Sequence, residues 1–212
     1  MPATTAQELL REVVARYAAM SSYMDSGVVR QWFKASDAPH ETQFSTSFKK
    51  PAFFRFAFSS PHPFPPLRYI ITKHVVGSDG KSAYSLTKEH EAAPRLETEE
   101  NLSMALAGAT GISVGAAHTI GRLLFPEVGG VSLLDLTDAR FNEETEIDGL
   151  SCYSVIARHP KGPELELWVE ADTLVLRKFI KGYGEVPTEE VRQNIRVDEQ
   201  VDLSVFGIPG EI

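Results

Sequence analysis

The residues best suited to chemistry in this chain lie in two short glycine-containing motifs. The first, Gly111-Ile112-Ser113-Val114-Gly115, matches the Gly-x-Ser-x-Gly nucleophile elbow, in which a serine sits between a buried strand and a helix. The residues before it, 102–107, have a helical pattern instead. The sequence therefore favours Ser113 as the N-cap of the following helix, where its hydroxyl accepts an unpaired backbone N–H. A serine hydrolase that uses Ser113 is an alternative hypothesis.

The second motif, Gly77-Ser78-Asp79-Gly80-Lys81-Ser82, resembles a phosphate-binding loop. Such a loop needs four residues between its glycines, so that successive backbone N–H groups surround the phosphates. Only Ser78 and Asp79 separate Gly77 from Gly80, and a strand-like run rather than a helix follows. Asp-Gly between two alternating runs indicates a β-hairpin with a type I′ turn. The motif therefore predicts a turn without a phosphate.

The remaining reactive side chains form no recognisable centre. Six histidines are spread along the chain, without a His-Glu-x-x-His pattern or a close cluster with cysteine or aspartate. The single cysteine, Cys152, lies in an alternating strand-like run, which is typical of a small buried hydrophobic residue. The sequence therefore predicts no catalytic residue, no metal site and no cofactor, and it favours a non-enzymatic protein.

Composition narrows the class of protein further. The chain has 212 residues, which is consistent with a single domain over 1–212. Its formal net charge of −8 argues against a nucleic-acid partner, which would require clustered lysine and arginine. No run of eighteen apolar residues predicts a transmembrane segment, and the first residues lack the features of a signal peptide. Either the protein is cytoplasmic or a signal peptide has been removed.

The pattern of apolar residues predicts an α+β fold. An amphipathic helix opens the chain, with Thr4 or Thr5 as its cap. About four strands follow, then a helical insertion at about residues 97–126 with helices at 97–109 and 113–125, and then about five strands. Short turns between successive strands indicate antiparallel pairing. We expect one large curved antiparallel sheet, covered by the N-terminal helix and by a helical lid. The apolar positions of the first helix are Leu9, Leu10, Val13, Val14, Tyr17 and Met20.

Aromatic residues concentrate in two neighbouring predicted strands. Side chains at alternate positions share one face of a sheet, and an incompletely filled half-barrel can bind a ligand on that face. A packed core is the alternative explanation for the same residues. The candidate ligand-binding residues are Phe44, Phe48, Phe54, Phe56 and Phe58 in the strands, with Leu106 and Leu123 in the lid.

Several segments, in order along nearly the whole chain, resemble the periplasmic outer-membrane lipoprotein carriers of the LolA type. The similarity is greatest to relatives with a Pro-x-x-x-Arg strand and an Asp-Gly-Leu-x-Cys-Tyr segment, which here begin at Pro51 and Asp148. The other matching segments are the N-terminal helix, KPAFFRF at 50–56, VGSDGK at 76–81, ELELWV at 164–169 and FGIPG at 206–210.

This resemblance implies an eleven-stranded half-barrel of the LolA or LolB kind, whose helical lid encloses acyl chains. It also implies a periplasmic or otherwise exported protein with a lipid or a lipidated protein as its ligand, and an envelope protein as a further partner. The family has an arginine tied to cargo transfer where this chain has Lys50. Lysine is a point charge without the fork of arginine. An envelope-stress sensor of the same architecture is the alternative function.

Overall fold

Twelve antiparallel strands form one open sheet in the computed structural model, which describes residues 5–33, 38–62, 64–182 and 187–209. The predicted ends of two strands, at 34–35 and 183, lie outside these residues. The strands are Ser22–Gln31 (β1), His40–Lys49 (β2), Phe53–Pro61 (β3), Ile71–Asp79 (β4), Ala83–Glu89 (β5), Arg95–Glu99 (β6), Thr137–Phe141 (β7), Thr145–Ile147 (β8), Leu150–Arg158 (β9), Glu164–Glu170 (β10), Leu176–Lys181 (β11) and Thr188–Val197 (β12).

The sheet has two halves that meet at its first and last strands. Its order is β6-β5-β4-β3-β2-β1-β12-β11-β10-β9-β7, with β8 also paired to β9. At the junction Val29 of β1 lies opposite Glu190 of β12. Below, β1–β6 are called the N-terminal half and β7–β12 the C-terminal half. The predicted α+β class with a large antiparallel half-barrel is confirmed, with twelve strands instead of the eleven that the resemblance implied.

Three helices cover one face of the sheet: Ala6–Ala19 (α1), Leu102–Thr110 (α2) and Ala116–Leu124 (α3). Thr5 caps α1, as predicted: its hydroxyl accepts from the Glu8 amide at 3.2 Å, and the Glu8 carboxylate accepts from the Thr5 amide at 2.9 Å. Helix α2 contacts β4 and β5 in the N-terminal half, whereas α1 contacts β7 and α3. We call the covered face of the sheet the inner face.

The two lid helices approach closely because a glycine lies between them. A Cβ atom on Gly121 of α3 would lie 2.6 Å from Cδ1 of Leu106 in α2, closer than two carbon atoms can pack. Gly121 therefore makes room for Leu106, which is fully buried. Gly121 thus serves the packing of the lid.

The helical insertion starts later than predicted. Glu97 and Glu99 belong to β6, where Glu97 lies opposite Ser85 and Glu99 opposite Ala83. The prediction of a helix from Glu97 is therefore wrong, because pairing with β5 overrides the local preference. Helix α2 begins only after Asn101, whose side-chain oxygen accepts from the Met104 amide at 3.0 Å.

The Asp79-Gly80 hairpin joins β4 to β5 as predicted, but its turn type differs. A type I′ turn needs positive φ at both predicted central residues. Here Gly80 has a positive φ of +88°, whereas the φ of Asp79 is not positive. The Asp79 carboxylate instead accepts from the amides of Lys81 and Ser82 at 2.9 and 2.8 Å, which lowers its pKa. The acidic side chain therefore organises the turn.

Candidate functional site

A cavity of about 620 Å³ lies between the helices and the C-terminal half of the sheet. Its volume falls within the range of about 300–1,000 Å³ that is common for ligand pockets. The lining comes from α1, α3, the segment 126–136, the turn between β9 and β10, and the inner face of β10 and β11. The residues are Val14, Thr110, Gly115, His118, Thr119, Arg122, Leu123, Pro126, Val131, Ser132, Leu133, Leu134, Leu136, His159, Lys161, Gly162, Pro163, Leu165, Phe179, Lys181 and Gly182.

Most of the surface that the cavity offers is apolar. Leu165 and Phe179 rise from β10 and β11, and Leu123 faces them from α3. Leu133 and Leu134 lie in a 3₁₀ turn that contacts α1, and Leu134 is 45% exposed. An apolar chain placed here would be removed from water, which is the main source of favourable free energy for such a ligand.

The polar side chains that line the cavity include five basic or imidazole groups. They are His118, Arg122, His159, Lys161 and Lys181, and none of the described lining residues is acidic. His118 Nε2 donates to the Gly129 carbonyl at 2.6 Å and so ties α3 to the segment that follows it. His159 Nδ1 accepts from the Lys161 amide at 3.1 Å.

Lys181 is the basic group that the fold holds most tightly. Its Nζ donates to the Val114 carbonyl at 2.6 Å, in the connection between α2 and α3. Burial lowers the pKa of Lys181, and the nearby Glu190 charge opposes that shift. Glu190 itself is engaged by Arg192, whose Nε donates to it at 2.7 Å.

A fully buried charge cluster lies on the inner face where the two halves meet. Arg192 donates to Asp25 at 2.5 Å, to Glu190, and to the Ala116 carbonyl of α3 at 3.2 Å. Tyr23 donates to Asp25 at 2.6 Å. Two carboxylates and a guanidinium, once desolvated, are tolerated only when each is paired. The cluster therefore fixes α3 to the centre of the sheet.

The predicted phenylalanines lie on the other side of this cluster, in a filled core. All five are at most 5% exposed. Phe44 stacks on Phe56 with ring centroids 5.4 Å apart, and Phe48 and Phe54 meet Phe125 edge-on at 5.1 and 5.7 Å. These rings contact one another and the helices instead of lining the large cavity.

Of the seven predicted ligand-binding residues, the structure places Leu123 in the large cavity. Phe58 lines a smaller cavity of about 140 Å³ with His74, on which it stacks at 4.7 Å. Leu106, Phe44, Phe48, Phe54 and Phe56 line neither of these two cavities. The sequence reasoning missed Phe179 and Lys181, although their two-residue spacing in a strand gave a signal that they share a face.

Ser113 is not the N-cap of α3, which is Gly115 with φ +89°. The serine is fully buried, and its Oγ accepts from the Ala117 amide at 3.3 Å. Ser113 therefore accepts a hydrogen bond from a backbone amide in the first turn of α3, although it lies two residues before the N-cap. Helix α2 precedes it where a nucleophile elbow requires a strand, so the elbow is not formed.

Lys50 caps the end of the first helix. Its Nζ donates to the Ala18 carbonyl at 2.5 Å, and its amide donates to the Ser21 carbonyl at 2.9 Å. A cation at a helix C-terminus is favoured by the helix dipole. This contact gives Lys50 a structural role, while its role in cargo transfer stays a prediction.

The other candidate groups are structural in the described part of the chain. Cys152 is fully buried, and burial raises the pKa of its thiol, which disfavours the reactive thiolate. Within residues 5–33, 38–62, 64–182 and 187–209, no three His, Cys, Asp or Glu side chains are grouped so as to hold a metal ion. None of the helices in these ranges is both long and apolar enough to span a membrane.

Comparison with solved structures identifies two mycobacterial proteins that share this fold, and a weaker match. LprF from Mycobacterium bovis is 13% identical and aligns over 95% of this chain and 97% of its own, with a TM-score of 0.55. The Mycobacterium tuberculosis lipoprotein LppX is 11% identical over 93% and 97%, with a TM-score of 0.52. A LolA superfamily protein from Nitrosomonas europaea is 10% identical over 97% and 99%, with a TM-score of 0.39.

Comparison of the sequence with models of protein families and with curated proteins yields no match. The predicted α+β half-barrel with helical cover is confirmed, and LppX and LprF share it. At these identities the likeness concerns the fold alone.

Proposed function

We propose that this chain is a non-enzymatic binding or carrier protein for a hydrophobic ligand. Its cavity would hold the apolar part of a lipid or an acyl chain of a lipidated protein. The observation that carries the proposal is the 620 Å³ cavity with its apolar lining of strand and helix residues. The shared fold with the lipoprotein LppX supports it.

The position of the cavity explains how a ligand would enter and leave. The cavity lies beneath α3 and the segment 126–136, which is held to α3 by the His118–Gly129 hydrogen bond. Displacement of this segment would uncover Leu165 and Phe179 without disturbing the strand ladder below them. A carrier needs such a cover, because the ligand must be shielded from water and then released.

The proposal includes export to the cell envelope, where a carrier of this kind meets lipids and lipidated proteins, and an envelope protein that receives the ligand. Fractionation of cells that express the natural gene is the measurement that tests the location. Recovery of the protein with the cytoplasmic enzymes would contradict export and leave the binding activity to be judged separately. The envelope-stress sensor stays a prediction.

The direct test of binding is a titration with an acyl probe whose fluorescence rises in apolar surroundings. We expect the delipidated protein to bind cis-parinaric acid at micromolar concentrations. Calorimetry should show a negative heat-capacity change, since apolar surface is buried. Native mass spectrometry of freshly purified protein should reveal co-purified lipid.

A cavity-filling substitution locates the binding site. Leu123→Trp places a large ring in the space under α3, so it should abolish probe binding while the protein stays folded. The matched control is Leu96→Trp, which makes the same replacement at a 49% exposed position on edge strand β6. Unchanged binding by Leu123→Trp, or absence of binding by the wild type, would refute the proposed function.

A further inference from the structure

The cavity combines an apolar lining with basic groups that have no acidic counterpart. Arg122, Lys161 and Lys181 all line it, and in the described residues none of the three forms a salt bridge. The chain as a whole has 29 acidic against 21 basic residues. The lining of the cavity is therefore positively charged, whereas the chain as a whole is negatively charged.

Lys181 is placed where a positive charge is least favourable. It lies beside the N-terminus of α3, since a Cβ on Gly115 would be only 2.3 Å from its Nζ. A helix N-terminus carries partial positive charge, which favours anions and disfavours cations. The nearest opposing charge, Glu190, is paired with Arg192. An anion in the cavity would interact favourably with the partial positive charge at the N-terminus of α3 and with the ammonium of Lys181.

Arg122 offers further donors to the same space. Arg122 lines the cavity, and its Nη1 donates to the Pro126 carbonyl. The planar guanidinium suits the two oxygens of a carboxylate or phosphate.

From these contacts we propose that the ligand is an anionic amphiphile, with one long apolar chain and a carboxylate or phosphate head group. The inference rests on the proposed function and assigns the charge of its ligand. The head group would interact with Lys181 and Arg122, and the chain would lie against Leu165, Phe179 and Leu123. A neutral lipid would supply no negative charge to Lys181 and Arg122. A free phosphate ion would make no use of the apolar lining.

The test compares two probes that differ only in charge: cis-parinaric acid and its methyl ester. The wild type should bind the acid about ten- to hundredfold more tightly, which is the range expected for hydrogen bonds to a charged group. Lys181→Met keeps an apolar stem but removes the ammonium, and should reduce this preference at least severalfold. The preference should also weaken as salt is added, because salt screens the attraction between the probe's carboxylate and the basic groups.

The matched control is Lys178→Met, on the outer face of the same strand. Lys178 pairs with Glu189 at 2.6 Å and lies over the Trp168 ring at 4.9 Å, away from the cavity. Its loss should leave the acid-to-ester preference unchanged. Should Lys181→Met fail to fold, Arg122→Met takes its place, because it removes the other proposed head-group contact, and the preference must again fall.

The outcomes separate the two proposals. Equal binding of acid and ester by the wild type would overturn the anionic ligand and leave the carrier function standing. Failure of both probes to bind would overturn both. An unchanged preference in Lys181→Met, or in Arg122→Met if the first variant does not fold, would also refute the assignment.

Displacement of the bound probe then distinguishes the two head groups. Displacement first by oleate assigns a carboxylate, and displacement first by oleoyl lysophosphatidate assigns a phosphate. Monoolein, which carries no charge, must be the weakest competitor. If monoolein displaced the probe as well as either anion, the proposal would be wrong.

Discussion

The two halves of the inner face are built from the same alternating strands, yet one leaves a cavity of only about 140 Å³ beside Phe58 and the other leaves a cavity of about 620 Å³. In the N-terminal half, phenylalanines of β2 and β3 reach the helices and pack against Phe125. In the C-terminal half, β9 and β10 present Val155, Ala157, Leu165 and Leu167. These side chains are smaller, so the space below α3 is not filled.

The comparison shows that side-chain size, and not the curvature of the sheet alone, decides where space is left under the helices. Gly27 illustrates the filled half, because a Cβ there would lie 2.4 Å from Cζ of Phe44. The ring therefore fits only over a residue without a side chain. The charge cluster around Arg192 lies at the junction and keeps the two environments apart.

Removal of Arg192 should have the largest effect on stability. Arg192→Met leaves Asp25 and Glu190 buried without their cation, and the loss of one partner from a buried pair typically costs about 3–5 kcal/mol. Urea denaturation should show this decrease in the free energy of unfolding. The control, Arg140→Met, breaks an exposed pair with Glu164 and should cost less than about 1 kcal/mol. Similar costs for both variants would contradict the account of the junction.

Two leucines in the lid helices sharpen the contrast between filled and open space. Leu106→Trp adds volume to a packed site beside Gly121, and overpacking of this kind costs about 1–3 kcal/mol. Leu123→Trp extends into the cavity and should cost much less. Thermal unfolding of the two variants compares them directly. Equal destabilisation would mean that the space under α3 is not open to a larger side chain.

Alkaline pH should destabilise the fold through Tyr17, a buried residue of α1 whose ring centroid lies 5.6 Å from that of Tyr23. Burial raises the pKa of Tyr17 to about 12. The unfolded chain loses this proton near pH 10, whereas the folded protein keeps it up to about pH 12. The free energy of unfolding should therefore fall as pH rises from 10 to 12, by about 1.4 kcal/mol per pH unit from this group. In Tyr17→Phe, denaturation across this range should show a shallower decline; an identical decline would assign the effect to other groups.

The smallest predicted effect concerns Ser113 in the connection between the lid helices. Ser113→Ala removes the hydroxyl that accepts from the Ala117 amide, which should cost about 1 kcal/mol. For a chain of this size the melting temperature should fall by about 2–4 °C. Hydrolysis of p-nitrophenyl esters that disappeared in this variant would show instead that Ser113 is a nucleophile.

Local sequence patterns predicted the elements that depend on local interactions. The amphipathic stripe and Thr5 identified α1, and Asp79-Gly80 identified the hairpin. The strand β6 was missed because its character comes from pairing with β5. Pairing of β1 with β12 was also not predicted, since it joins residues more than 150 positions apart, such as Val29 and Glu190.

The cavity was predicted in kind but not in place. The phenylalanines indicated an apolar inner face, and this is where the core is filled. The position of a cavity depends on the sizes of side chains that face one another from distant segments of the chain. A local sequence pattern does not contain this information. Leu123 is shared by the predicted set and the large cavity, whereas Phe179 and Lys181 required the register of β11 against β12.

Hydrogen exchange with and without bound cis-parinaric acid locates the binding site. We expect the ligand to slow exchange in α3, in residues 126–136 and at the β9–β10 turn, and to leave β2, β3 and α2 nearly unchanged. Protection confined to the phenylalanine strands and α2, with none around Leu123 and residues 126–136, would contradict this expectation and place the binding site in the N-terminal half.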